Sequence, residues 1–86
     1  MRKVAIEERE EEPFVLPELD ESQIRLLGEI SRSRPDAYRP SDWIGDISEF
    51  IRASVRLEMN GLIRTDEAGR RWLTAEGEQA ADKIAE

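Results

Sequence analysis

Between Asn60 and Thr74 the chain changes its apolar period twice, and that change limits what it can fold into. Before Gly61 the apolar residues recur at helical spacing. Leu62-Ile63-Arg64-Thr65 and Arg70-Arg71-Trp72-Leu73 read instead as two strands. Asp66-Glu67-Ala68-Gly69 lies between them, with glycine where a tight hairpin needs positive φ. Thr74 then caps a further helix over 75–85, with Ala80, Ala81 and Ile84 inward. The expected architecture is mainly α with one small β-hairpin.

The helices ahead of the hairpin carry their own boundary signals. Asp20 followed by Gln23 has the spacing of a capping box, and Leu19 with Ile24 that of a hydrophobic staple. Ile24, Leu27 and Ile30 recur on one face, widened by Leu26, and Pro35 ends the helix near Ser33 or Arg34. Gly28 inside this helix costs about 1 kcal/mol against alanine, which a close helix contact would explain. Tyr38 is a candidate for a one- or two-residue strand. Pro40-Ser41-Asp42 opens a short second helix that takes in Trp43 and Ile44, and Gly45 ends it. Asp46 with Glu49, or Ser48 alone, caps a third helix running to about Asn60, with Gly61 as its left-handed terminator. At 100° per residue, Ile47, Phe50, Ile51, Ser54 and Leu57 share the inward face. Glu49, Arg52, Ala53, Arg56 and Asn60 share the opposite one, and Val55 and Met59 flank.

A short helix, a tight turn and a capped longer helix make a helix-turn-helix pattern, here followed by a hairpin. Arg52-Ala53-Ser54-Val55-Arg56-Leu57-Glu58-Met59-Asn60-Gly61-Leu62-Ile63 resembles the recognition helix and first wing strand of prokaryotic winged-helix regulators. Leu73-Thr74-Ala75-Glu76-Gly77 resembles the segment after the wing in MarR-type and phage-repressor-like archaeal regulators. The resemblance covers residues 20–85 and implies a winged helix-turn-helix: a three-helix core, a two-stranded wing and a C-terminal helix. It further implies a sequence-specific DNA-binding transcription regulator, with helix 47–60 in the major groove and wing 62–74 on the backbone. The candidate DNA-contacting residues are Ser48, Arg52, Ala53, Arg56 and Asn60 on the helix and Arg64, Arg70 and Arg71 on the wing. Arg52 and Arg56 stand one helical turn apart, and each can bond bidentately to guanine. Two residues depart from the pattern: Ser54 stands where these regulators carry leucine, and Glu49 would repel a phosphate.

Charge argues on both sides. The chain of 86 residues carries a net −7, distributed as −5 over residues 1–22, +1 over 23–74 and −3 over 75–86. Arginine is the only cation in the middle segment, which suits planar recognition of phosphates or bases. The net charge, Glu49 and the acidic wing tip Asp66-Glu67 support an alternative, a winged-helix protein–protein interaction module without DNA binding. Trp43, Trp72, Tyr38 and Phe50 read as core residues rather than stacking platforms. Residues 1–19 read as a solvated acidic tail, Glu7–Glu12, and an extended arm from Pro13, and residues 20–86 as the folded domain. Cysteine and histidine are both missing, so no disulfide, thiol nucleophile or histidine-based catalysis is available. The chain is expected to be no enzyme, to hold no metal or cofactor, to stay off membranes and in the cytoplasm, and to pair as a homodimer through the arm 13–19 or helix 75–85.

Overall fold

The computed structural model describes residues 15–85; the acidic run and the start of the arm, residues 13 and 14, lie outside the described residues. The order is α1 (Glu21–Ser33), a 3₁₀ turn (Pro40–Asp42), α2 (Ile47–Met59), β1 (Ile63–Thr65), β2 (Arg71–Leu73) and α3 (Ala75–Ala85). The strands pair antiparallel, with Ile63 opposite Leu73 and Thr65 opposite Arg71. Among the described residues, three α-helices and a two-stranded hairpin in this order make a mainly helical fold compatible with a winged helix.

Most boundaries follow local chemistry. The Asp20 carboxylate accepts from the Gln23 backbone N–H at 2.9 Å, and the Gln23 side chain accepts from Asp20 N–H at 3.2 Å, which closes the capping box. Asp46 caps α2 by accepting from Ser48 N–H at 3.0 Å. Gly61 takes φ +75° just past α2, where a side chain is strained. The Thr74 hydroxyl accepts from Gly77 N–H at 3.0 Å and donates to the Gly61 carbonyl at 2.6 Å, so one residue starts α3 and ties it to the end of α2.

The core joins Leu26, Leu27 and Ile30 of α1 to Phe50, Ala53 and Leu57 of α2. Tyr38, Trp43, Leu62, Ile63, Ala80 and Ala81 close it, with Leu19, Leu73 and Ile84 half-buried against it. Tyr38 does form a one-residue bridge, exchanging both backbone hydrogen bonds with Arg71. The second helix is shorter than expected: only Pro40–Asp42 turns, Trp43 takes extended backbone, and Ile44 lies outside any helix. Trp43 is buried at 5.7 Å from the Phe50 ring, and its indole N–H donates to the Asp46 carbonyl, so core contact rather than helix continuation sets this segment.

Three packing expectations change. On α1, Gln23 is buried and Ile24 partly exposed, because the cap turns Gln23 inward. On α2, Phe50, Ser54 and Leu57 are buried as expected, but Ala53 is buried with them while Ile47 and Ile51 are each 52 % exposed. The contact side is chosen by small residues that let neighbouring elements approach, not by the largest aliphatic ones. Gly28 meets no second helix; a β-carbon there would find only the end of Arg32 at 3.3 Å.

Gly77 is the glycine that packing requires, since a β-carbon on it would collide with the Leu62 carbonyl. Gly77→Ala is expected to destabilise the fold by at least about 2 kcal/mol, and Gly28→Ala to stabilise it by up to about 1 kcal/mol. Urea unfolding of the two variants checks both signs.

Candidate recognition surface

The outward side of α2 is built from two adjacent rows of residues spaced by four. Ser48, Arg52, Arg56 and Asn60 form one row, all exposed. Ile47, Ile51, Val55 and Met59 form the other, exposed by 52, 52, 48 and 81 %. Residues four apart stack along a helix as a ridge, so the surface is a polar, cationic ridge beside an aliphatic one. Ile44, 81 % exposed, stands just ahead of the helix. Across the helix, Phe50, Ala53, Ser54 and Leu57 face the core.

The polar ridge holds four of the residues singled out from the sequence. Ala53 does not join them: at 2 % exposure it packs inside and cannot reach a partner. Asn60 is the C-cap of α2, and its backbone N–H donates to the Arg56 carbonyl. Among the described residues, no carboxylate lies within ion-pair distance of Arg52 or Arg56. Arg56 borders a shallow cleft of about 330 Å³ with Glu18, Gln23, Met59 and Asn60. Glu49 turns away from this surface; half-buried, it accepts a hydrogen bond from the Ser22 hydroxyl of α1.

The wing arginines divide by what already holds them. Arg71 is structural. Its Nε donates to the Ser54 hydroxyl at 3.1 Å, its Nη1 to the Gly69 carbonyl at 2.6 Å, and its guanidinium lies 4.8 Å from the Phe50 ring. This accounts for serine at 54: the hydroxyl accepts the guanidinium in a space an aliphatic side chain would fill. Arg70 pairs with Asp66 at 2.8 Å. Arg64 is exposed, with its guanidinium 5.6 Å from the Trp72 ring. Trp72 is half-buried rather than a core residue, and its indole N–H donates to Asp66 at 3.1 Å.

Asp66 organises the wing tip. Its carboxylate also accepts from the backbone N–H groups of Ala68 and Arg70. The hydrogen bond from Trp72, then those from Arg70, pull its pKa from the ordinary 3.8 to about 2. At the bridge to Arg71, the Tyr38 hydroxyl donates to Glu29. Burial, then that bond, push the Tyr38 phenol up. Burial opposes ionisation of Glu29, but bonds from Tyr38 and Arg25 hold it below its ordinary value. These groups brace the fold. Arg25 adds to them by bonding Glu29 and the Ile44 carbonyl while its guanidinium lies 3.7 Å from the Trp43 ring.

A second groove, about 500 Å³, runs between the end of α1 and β2 and is lined by Arg34, Arg64, Arg71, Trp72 and Glu78 among others. Arg34 faces Glu78 at 3.6 Å and Arg71 is anchored as above, so two of its three arginines are engaged. Among the described residues, no group of three or more acidic side chains is placed to hold a metal ion, and no helix is long and apolar enough to cross a membrane. No family model, curated protein or solved structure matches this chain.

The aliphatic ridge is the feature sequence reading missed. Counting apolar residues puts Ile47 and Ile51 inside, and no spacing signal corrects it, since the buried pairs Phe50–Ser54 and Ala53–Leu57 are also four residues apart.

Arg71→Gln is expected to destabilise the fold by about 1–3 kcal/mol, by stranding the Ser54 and Gly69 acceptors, and Arg64→Gln to change it by less than about 0.5 kcal/mol. Chemical denaturation distinguishes them. Because the Asp66 pKa is depressed by folding, its stabilising effect is complete above the ordinary 3.8 and is lost as pH falls through about 2. A carboxyl NMR titration should place the Asp66 midpoint near the lower value, with Trp72 fluorescence changing over the same interval. An ordinary carboxylate midpoint would remove the Trp72 tether from the account.

Proposed function

We propose that this chain is a protein-interaction module on a winged-helix scaffold, with the outward face of α2 as its contact surface. The observation that carries this reading is the aliphatic ridge Ile47–Ile51–Val55–Met59, extended by Ile44. Aliphatic side chains grouped on one helix face, rimmed by charge, are the usual mark of a surface that another protein covers. A duplex would offer this ridge thymine methyls at most, amid phosphates and polar base edges. The net charge of −7 also opposes non-specific attraction to nucleic acid.

A second reading keeps the DNA-binding regulator that the sequence motifs suggest. Arg52, Arg56 and Arg64 favour it, being exposed on the helix and wing that winged-helix regulators present to DNA. With Arg70 and Arg71 engaged inside the wing and Ala53 buried, this reading retains Ser48, Arg52, Arg56, Asn60 and Arg64 as contact residues.

Replacing Ile51 with a photoreactive amino acid in cells that express the chain separates the two. The expected adduct is discrete and is destroyed by protease but not by nuclease. Duplex titrations across salt are expected to show no binding for the wild type. If instead a negative log–log salt slope appears, and Arg52→Ala with Arg56→Ala shrinks it, the DNA reading replaces the one proposed.

A further inference from the structure

We infer that the partner covering α2 is an amphipathic helix of another protein, with a row of carboxylates beside its apolar row. This rests on the protein-interaction reading and names the chemistry of the partner.

The two ridges pose a joint requirement. Between Ile47–Ile51–Val55–Met59 and Ser48–Arg52–Arg56–Asn60 runs a groove at the i±4 inclination, which accepts the matching ridge of a second helix at the crossing commonest between packed helices. Whatever lies there covers aliphatic side chains on one side and meets two arginines on the other. Among the described residues those arginines have no carboxylate at ion-pair distance, while Arg25, Arg34 and Arg70 each do. A partner helix with apolar residues in one row and Asp or Glu in the next meets both ridges at once, and gives each guanidinium a charge-assisted, two-pronged bond.

The other occupants satisfy only part of this. A second copy matches the aliphatic ridge but brings two more arginines, with Glu58 as the exposed carboxylate not tied to its own fold on that helix face. Duplex DNA matches the arginines and leaves the aliphatic ridge without an apolar partner. A basic helix covers the aliphatic ridge and sets like charges against Arg52 and Arg56. The five aliphatic side chains present on the order of 500 Å², just below the roughly 600 Å² a side of the smaller specific interfaces. The polar ridge adds to that area, and the specificity of the contact depends on the charged row.

The test uses the full chain and two synthetic helical peptides with identical leucine rows, one flanked by glutamate and one by lysine. Fluorescence anisotropy is read at physiological salt, where screening beyond about 8 Å confines the comparison to local pairs. The glutamate peptide is expected to bind at least about tenfold more tightly. Arg52→Gln with Arg56→Gln should erase that preference and keep the remaining affinity. Ile51→Asp should abolish binding of both peptides while urea unfolding stays cooperative, with the variant fully folded in the absence of urea, which separates loss of contact from loss of fold. Equal binding of the two peptides overturns the acidic row but leaves protein interaction standing. Binding of neither, with duplex DNA protecting α2, overturns both. A concentration-dependent dimer in sedimentation that Ile51→Asp dissolves assigns the face to a second copy instead. If the wild type binds neither peptide, but a variant with Glu7, Glu8, Glu10, Glu11 and Glu12 all changed to Gln binds the glutamate peptide, the occupant is the chain's own acidic segment and the proposal falls.

Discussion

Arg71 is where the separate parts of this domain are held to one another. Its backbone pairs on one side with Thr65 in the hairpin and on the other with Tyr38, in the connection that follows α1. Its side chain crosses to α2, donating to Ser54 and lying over Phe50, and its other arm closes onto Gly69 in the wing turn. One residue thus fixes the hairpin's position against both helices. A half-buried guanidinium is costly unless its donors are met and its flat face is covered. Here Nε and Nη1 each find an acceptor and the Phe50 ring lies against the guanidinium, and the requirement runs outward from this point. Position 54 must offer an acceptor, position 50 an aromatic ring, and the turn at Gly69 a free carbonyl.

With that anchor in place, the remaining choices along α2 follow. If Ser54 faces the wing and Ala53 faces α1, the core side of the helix is settled, and Phe50 and Leu57 lie between them. A helix advances 100° per residue, so this orientation sends Ile51, Val55 and Met59 outward whatever their hydrophobicity. The aliphatic ridge is the consequence of an inward face chosen by a polar bond and a close approach. Its aliphatic side chains leave about half or more of their surface uncovered by the fold, which is why they ask for an explanation outside it.

Legibility in the sequence tracks how local the cause is. The capping box at Asp20 and Gln23, the left-handed Gly61, the Gly69 turn and the Thr74 cap each depend on a few neighbouring residues, and each forms as read. The bridge at Tyr38 was legible as a strand candidate, though its partner Arg71 was not. Leu26, Leu27 and Ile30 on α1 and Phe50, Ser54 and Leu57 on α2 lie inward as their periodicity predicts; the exceptions, Gln23, Ile24, Ile47, Ile51 and Ala53, are decided across the fold. Gln23 goes in since its amide completes the cap, and Ala53 since a small residue permits contact. The site suffered most from this. Arg70 and Arg71 look as available in the sequence as Arg64, and only the carboxylate of Asp66 and the hydroxyl of Ser54 reveal that they are engaged. Glu49, the residue that seemed to argue most directly against an anionic partner, is turned aside by Ser22.

These corrections act on function in opposite directions, and their balance defines the surface. The Glu49 carboxylate is held by Ser22 of α1 and, among the described residues, no carboxylate lies at ion-pair distance from Arg52 or Arg56, which leaves both guanidiniums on the outward face open to an anionic partner. Moving Ile47 and Ile51 onto that face adds apolar area that an anionic polymer would leave poorly matched. Either change alone would point to a familiar answer, DNA in the first case and a plain hydrophobic contact in the second. Because both ridges belong to one rigid helix and are separated by a single residue step, no partner can address one without lying against the other. On the reading proposed above, the partner of α2 is apolar and acidic along the same edge, and a protein helix provides that arrangement at the matching spacing.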